Sequence, residues 1–321
     1  MTGLAFQMDD STPSHVTVMR DEVVAAMRPL GSGLIIDATL GYGGHTLALL
    51  NELPGVSVIG FDQDGEAVRA SLARLGQFAG RFQAVHARFS CLPDWLAAHG
   101  IGQIDGLIAD LGVSSPQLSD TARGMSFRSE GPLDMRMDRS RGETALELIR
   151  RLSQDDLADV IYTFGEERRS RRIAACIKQL YDQDQLNSTL DLRRAVIKAI
   201  GPRRIGGIDP ATRTFQALRV AVNRELHELT SLLDRLHELV RPEGTAALIS
   251  FHSLEDRRVK RCFQERALWK RHSAKPLLPT TLECDANPRA RSAKLRIATR
   301  SQLAEVPPVL PEGVDPREFS T

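Results

Sequence analysis

Three short stretches of the chain gather residues able to bind a nucleoside cofactor and handle an amine. The first is Asp37-Ala38-Thr39-Leu40-Gly41-Tyr42-Gly43-Gly44-His45. Its glycines let backbone approach a ligand closely, and a helix opening there offers free N–H groups. A dinucleotide turn of the form G-x-G-x-x-G needs glycines at 41, 43 and 46, and position 46 is Thr. The pyrophosphate reading is weakened accordingly. The second stretch closes on Asp62, 19 residues after Gly43. A carboxylate at a strand end accepts hydrogen bonds from both ribose hydroxyls and repels a 2′-phosphate. Together these favour a small cofactor without a phosphate. S-adenosylmethionine (SAM), with its carboxylate, ammonium and adenosine, fits that description. The third stretch is Asp110-Leu111-Gly112-Val113-Ser114-Ser115-Pro116. Methyltransferases of exocyclic amines place a polar-to-apolar turn here, usually Asp/Asn-Pro-Pro-aromatic, so the match is one of position. The amino nitrogen of cytosine is a poor nucleophile because its lone pair is delocalised into the ring. Acceptors on its protons bias that lone pair toward a methyl donor, alignment lowers the barrier further, and a carboxylate takes the surplus proton. Asp110 serves either that amine or the cofactor. Ser114 in the same turn, and His252 with Ser253 after a later strand, are further candidates for handling the base, and Ser253 is equally a helix cap.

These residues need a scaffold. Leu34–Ile36, Val56–Phe61, Phe82–Ala87 and Ile104–Asp110 read as four buried strands. Helical stretches at 20–30, 45–52, 65–75 and 93–99 flank or separate them. Alternating strands and helices predict a doubly wound parallel sheet. The alternation then stops. Residues 111–138 form a long loop rich in Gly, Pro, Ser and Asp, and helical patterns follow at 144–152, 155–163, 166–181 and 189–200. A helix over 212–240, a strand over 244–251, a helix from Leu254 to about Trp269 and a late strand over 295–299 complete the pattern. Ser253 is expected as N-cap of that last helix, with Asp256 at N3. The expected organisation is a methyltransferase core over 15–124 and 209–300. A helical insertion over 125–208 projects from the strand ends, and disordered tails span 1–14 and 301–321. The fold class is α/β, a Rossmann-like sheet with an inserted all-helical unit.

The net charge of +1 hides segregation. Residues 257–300 hold 13 basic and 3 acidic side chains, and 165–204 hold 10 and 5. Of 42 basic residues only six are Lys. Arginine meets phosphate bidentately and stacks on bases, so a polyanion-binding face on a near-neutral body is expected. Arg168, Arg169, Arg171 and Arg172 are candidates for phosphate, against the alternative of pairing along their own helix. Arg289, Arg291, Lys294 and Arg296 are stronger candidates because few acids lie nearby in sequence. The four cysteines form no C-x-x-C pair, and no His/Cys/carboxylate grouping has metal-ligand spacing, so no metal is expected. The acidic start and the lack of a long apolar run point to a cytoplasmic protein without a membrane span.

Six ordered blocks resemble the MraW (RsmH) family of small-subunit ribosomal RNA cytosine-N4 methyltransferases. They are DATLGYGGHT (37–46), DLGVSSPQLSDTARGMSFRSEGPLDMRMD (110–138), GEERRSRRIA (165–174), PATRTFQALRVAVNREL (210–226), SFHSLEDRRVK (250–260) and NPRARSAKLR (287–296). The resemblance implies SAM as cofactor, held by Gly43, Gly44, His45, Asp62, Phe89, Asp110 and Gln117. Without it, Phe89 reads as core, Gln117 as an ordinary loop residue and His45 as a ligand or a helix-start residue. It also implies methylation of one cytidine in the decoding region of 16S rRNA, on an assembled small subunit. Two positions depart from the family pattern. His15-Val16-Thr17-Val18 lacks a proline, and Asp209 stands where the family has His before Pro-Ala-Thr-Arg. The alternatives are a SAM-binding ribosome assembly factor and a methyltransferase of another RNA or protein target. The residues leave the oligomeric state open, a homodimer included.

Overall fold

The computed structural model describes residues 17–202 and 209–302. The expected 1–14 tail, most of the 301–321 tail, and His15 and Val16 lie outside those residues. The strands are β1 (Ser32–Asp37), β2 (Gly55–Asp62), β3 (Phe82–His86), β4 (Ile104–Asp110), β5 (Val240–Ser250), β6 (Trp269–Arg271) and β7 (Lys294–Arg300). They form one sheet in the order β3-β2-β1-β4-β5-β7-β6, parallel except for β7, which runs antiparallel to β5 and β6. This is a Rossmann-like sheet. Its strand order reverses between β1 and β4, and a crevice opens beyond the strand ends at such a point. Asp37 and Asp110 end those two strands, and Asp62 ends β2.

Helices α1 (Arg20–Met27), α2 (Gly44–Glu52), α3 (Gly65–Leu75) and α4 (Leu92–Ala98) follow the expected positions. A short α5 (Ser115–Ser119) opens the long loop after β4. The inserted helices are α6 (Ala145–Arg151), α7 (Gln154–Gly165), α8 (Ser170–Asp182) and α9 (Thr189–Ile200). They are followed by α10 (Thr212–Asn223), α11 (Glu225–Leu239), α12 (Ser253–Gln264) and α13 (Thr281–Ala286). The apolar runs of β1, β4 and β5 are buried on both faces, as central parallel strands must be. One face packs on α4, α11 and α12 through Leu96, Leu232, Leu236 and Phe263. The other packs on α1 and α2 through Val24, Met27, Leu49 and Leu50. A separate apolar cluster joins Met125 and Met135 of the loop to Ile161, Ile177 and Val196 of the inserted helices. Ala211, Phe215 and Leu218 of α10 belong to it too, so this helical unit draws on residues past 208.

Three expectations need correction. The single helix over 212–240 is two, broken at Arg224, whose φ of 55° is left-handed. Asn223 is buried there, donating to the Met135 carbonyl and accepting from the Met137 amide, each at 2.8 Å. That tertiary pairing, invisible to helical periodicity, sets the break. The helix expected to reach Trp269 stops at Gln264, and Trp269 starts an edge strand too short to announce itself by alternation. His252, not Ser253, is the N-cap of α12, and Glu255, not Asp256, is its N3 residue. The Glu255 carboxylate accepts from the Phe251 and His252 amides.

The long loop is pinned to the core by Arg123, whose side chain is 2% exposed. It meets Asp64 at 2.9 Å, Glu66 at 2.5 Å and Asp120 at 3.4 Å, and donates to the Met137 carbonyl. Removing one partner of a buried pair leaves an uncompensated charge, which costs about 3–5 kcal/mol. An Arg123→Ala variant is expected to lose about that much stability in denaturant unfolding. A loss below about 1 kcal/mol, the range of surface ion pairs, would show that the joint is dispensable.

Candidate active site

Three chain turns meet at the switch point. After β1 the backbone turns through Gly41 (φ 50°) and Gly43 (φ 75°) into α2. Gly43 is the N-cap of that helix and faces away from the cavity: a Cβ there would lie 2.8 Å from Leu75. Its amide donates to the Leu40 carbonyl. Gly44 and His45 face inward and line the cavity, with Thr17 packed so closely over Gly44 that no side chain fits between them. After β2, Asp62 lines the same cavity. Its two oxygens accept from the Gly41 amide at 2.7 Å and the Asp64 amide at 2.8 Å. That carboxylate therefore ties the first turn to the second. Phe89, just past β3, and Asp110, ending β4, complete the ring of expected residues.

The cavity wall is acidic. Asp62, Asp110, Glu225, Glu228 and Glu255 line it, against Arg88 and Arg289. Glu228 pairs with Arg88 at 3.2 Å, and Glu225 meets Arg219 through two contacts of 2.8 Å. Behind the wall, Asp37 accepts from the Thr46 hydroxyl at 2.7 Å, and burial raises its carboxyl above the ordinary range. Burial likewise pushes Asp62 up to about 6. Several buried polar atoms have no hydrogen-bond partner within the described residues: Asp110 Oδ1, both His45 ring nitrogens, Glu228 Oε2 and Gln63 Oε1. The His45 ring stands 3.7 Å from the other Asp110 oxygen. Buried polar atoms are normally satisfied, so unmet acceptors around an acidic cavity fit a ligand that brings donors and positive charge. An adenosyl sulfonium with an ammonium group is such a ligand.

Other candidates are placed differently. Ser114 and Gln117 line the cavity, but they form a capping box at the start of α5. The Gln117 amide also donates to Asp64 at 2.9 Å. Ser114 is thus committed to a cap, which weakens it as a base-handling group. His252 is outside the cavity lining, and its ring lies 3.1 Å from Glu255. It does not reach the site directly. Phe251, one residue earlier, does. Lys294 and Arg296, expected to be free for RNA, both pair with Asp256. Among the described residues, Glu225, His252 and Glu255 bring possible ligand atoms within 4.8 Å of one another, a grouping that the sequence order conceals. Arg219 already balances Glu225, and Glu255 caps α12, so the group reads as a structural brace. Sequence reasoning also missed Glu225 and Glu228. The signal available was their i, i+3 spacing, which puts two acids on one helical face.

The geometry is that of a Rossmann-like, SAM-dependent methyltransferase. A profile of the MraW methylase family matches residues 12–301. A protein named ribosomal RNA small subunit methyltransferase H from Sorangium cellulosum (strain So ce56) is 58% identical over 291 residues, covering 91% of this chain and 92% of that one. Its namesake from Synechococcus elongatus is 47% identical over 297 residues, covering 91% and 97%. The chain belongs to the MraW methylase family. Among solved structures, a putative methyltransferase from Streptococcus mutans in complex with SAH aligns with a TM-score of 0.44 at 11% identity, covering 89% of this chain and 99% of that one. That likeness is too remote to add to the assignment. Among the described residues no helix is long and apolar enough to cross a membrane.

The raised Asp62 carboxyl yields a pH dependence. Ribose hydroxyls bond more strongly to the ionised form, so cofactor affinity is expected to rise as pH climbs through about 6. Calorimetric titration with SAM between about pH 5 and about pH 8 reads this directly, with the ordinary acid range near 4 as reference. Asp62→Ala is expected to weaken binding by about 10- to 100-fold, the worth of hydrogen bonds to a charged acceptor, and to lower thermal stability as well, because the Gly41 and Asp64 amides lose their acceptor. Unaltered affinity in the variant would remove Asp62 from the ribose.

Proposed function

We propose that the protein transfers a methyl group from SAM to the N4 amine of one cytidine in the decoding region of 16S rRNA, within the small ribosomal subunit. The observation that carries this is the unpartnered, buried Asp110 Oδ1 at the switch point, in a cavity whose wall is acidic. Family membership supplies the reaction class, and the relatives' shared name, ribosomal RNA small subunit methyltransferase H, supports the RNA substrate.

In this reading Asp62 holds the ribose, Phe89 lies beside the adenine, and Gly44 and His45 bound the methionine end. Gln117 borders the cofactor from the cavity wall, held by Asp64, while Gly43 shapes the turn after β1 from behind. When bound, SAM supplies an electrophilic methyl on a sulfonium. Asp110 accepts a hydrogen bond from the incoming amine and orients its lone pair. As the new N–C bond forms and the methyl's bond to sulfur breaks, its electron pair staying on sulfur, the nitrogen carries a surplus proton, and Asp110 is the acceptor in place to take it. The Asp110 amide donates to the Thr39 hydroxyl oxygen at 2.6 Å, which fixes the end of β4 against the first turn. Proximity and alignment supply much of the remaining barrier reduction. The target base must leave its stack to reach this depth.

Small subunits lacking the modification, incubated with the protein and SAM, are expected to yield N4-methylcytidine in nucleoside mass spectrometry. Asp110→Asn is expected to lower kcat by about 10²- to 10⁴-fold, the range of positioned proton acceptors. A methylated product other than N4-methylcytidine, or an Asn variant at full rate, would refute the assignment.

A further inference from the structure

A second concavity of about 1400 Å³ lies between α7 of the insertion and α11 and α12 of the core. Helix α11 is the wall that it shares with the active site. Glu225, Glu228 and Leu229 face the cavity, while Leu226, Thr230, Leu233 and His237 face this groove. The groove therefore starts one helix width from the site. Its near end is the start of α12, where Leu254 follows three residues after the cavity-lining Phe251.

Five arginines converge on it: Arg168, Arg213, Arg257, Arg258 and Arg261. Three acids, Glu166, Asp234 and Glu265, line it as well, leaving the arginines in excess. Glu166 holds Arg257 at 3.1 Å and accepts from the Ser253 hydroxyl. Arg258 is braced by the Leu254 carbonyl at 3.0 Å and the Thr230 hydroxyl at 3.3 Å. Burial, then the adjacent Arg257 and Arg261, depress its guanidinium from the usual value. The side chains of Arg168 and Arg261 are exposed and make no hydrogen bond or ion pair among the described residues. Tyr162 stands on the same groove with 59% of its surface exposed. Arg213 pairs with Glu167 at 3.8 Å, so Arg168, Arg258 and Arg261 are left without an acid partner among the described residues, and like charges so held favour a polyanion. A planar guanidinium fork suits phosphate, and an exposed ring beside it suits a stacked base. An acidic peptide would use the arginines and leave the ring without a role.

We propose that this groove grips the RNA strand flanking the target nucleotide: its arginines hold the backbone phosphates, and Tyr162 stacks a neighbouring base. The proposal rests on the ribosomal RNA reading of the active site. It assigns the insertion a mechanical task, since α7 forms the far bank of the groove.

The test uses the full-length protein and isolated small subunits. The double variant Arg168→Gln/Arg261→Gln is expected to bind SAM as the parent does. Its affinity for subunits falls, and its plot of log affinity against log salt becomes shallower by about 0.7 per lost single-strand phosphate contact. Tyr162→Ala is expected to bind subunits about tenfold more weakly, with Tyr162→Phe restoring affinity because the ring persists. A photo-crosslinking residue at position 162 is expected to give a nuclease-sensitive adduct. An unchanged salt slope, or an adduct to ribosomal protein alone, would overturn the groove assignment. Methylation of subunits by the parent protein is the control: its absence refutes the functional reading itself, whereas intact methylation with an unchanged slope refutes only the groove.

Discussion

The buried guanidinium of Arg123 is the joint on which the site depends. It belongs to the long loop after β4, yet its partners Asp64 and Glu66 follow β2. Asp64 in turn accepts from Gln117, and its amide donates to Asp62. One charge thus clamps the loop onto the segment that follows β2 and lines the cavity. Charges with 2–3% exposed side chains are tolerable only when paired and hydrogen-bonded throughout, and this pair is. The Met137 carbonyl, which accepts from the same guanidinium, is held by that clamp as well.

The same low-dielectric setting explains why the cavity is built from carboxylates. Burial, and to a lesser degree the acids nearby, shifts Asp37 and Asp62 toward neutrality. The protein offsets part of that cost internally, with Arg88 on Glu228 and Arg219 on Glu225. Among the described residues no Arg or Lys pairs with Asp110, and the His45 ring stands 3.7 Å away. A wall of this composition attracts a sulfonium more strongly than a neutral thioether.

The sheet was legible because its central strands are short apolar runs ending in acids, and period and length suffice to place them. Asp62 and Asp110 were legible for the same reason: a strand end announces its terminal residue. What escaped is what depends on contact across the chain. The break at Arg224 has no glycine or proline to mark it. The cap of α12 slid by one residue because Ser253 is the better capping type, while the backbone amides of Phe251 and His252 meet Glu255. Lys294 and Arg296 looked free because Asp256 is 38 and 40 residues away in sequence. That Gly43 faces away from the cavity could not be read at all, since a glycine's spacing does not say which side of a turn it occupies.

The break at Arg224 does more than correct a boundary. A continuous helix over 212–240 would run about 43 Å as a single rod, carrying the insertion's packing face and the core's packing face on one axis. The left-handed residue, costing about 1–3 kcal/mol, ends α10 inside the helical unit's apolar cluster and lets α11 restart against the sheet. Asn223, held by Met135 and Met137, and the Arg219–Glu225 pair across the break keep the two segments in register. Because α11 restarts there, Glu225 falls on the cavity side and Leu226 on the groove side. The strained residue therefore sets which wall each side chain of α11 presents, and with it the separation between the cavity and the arginines beyond.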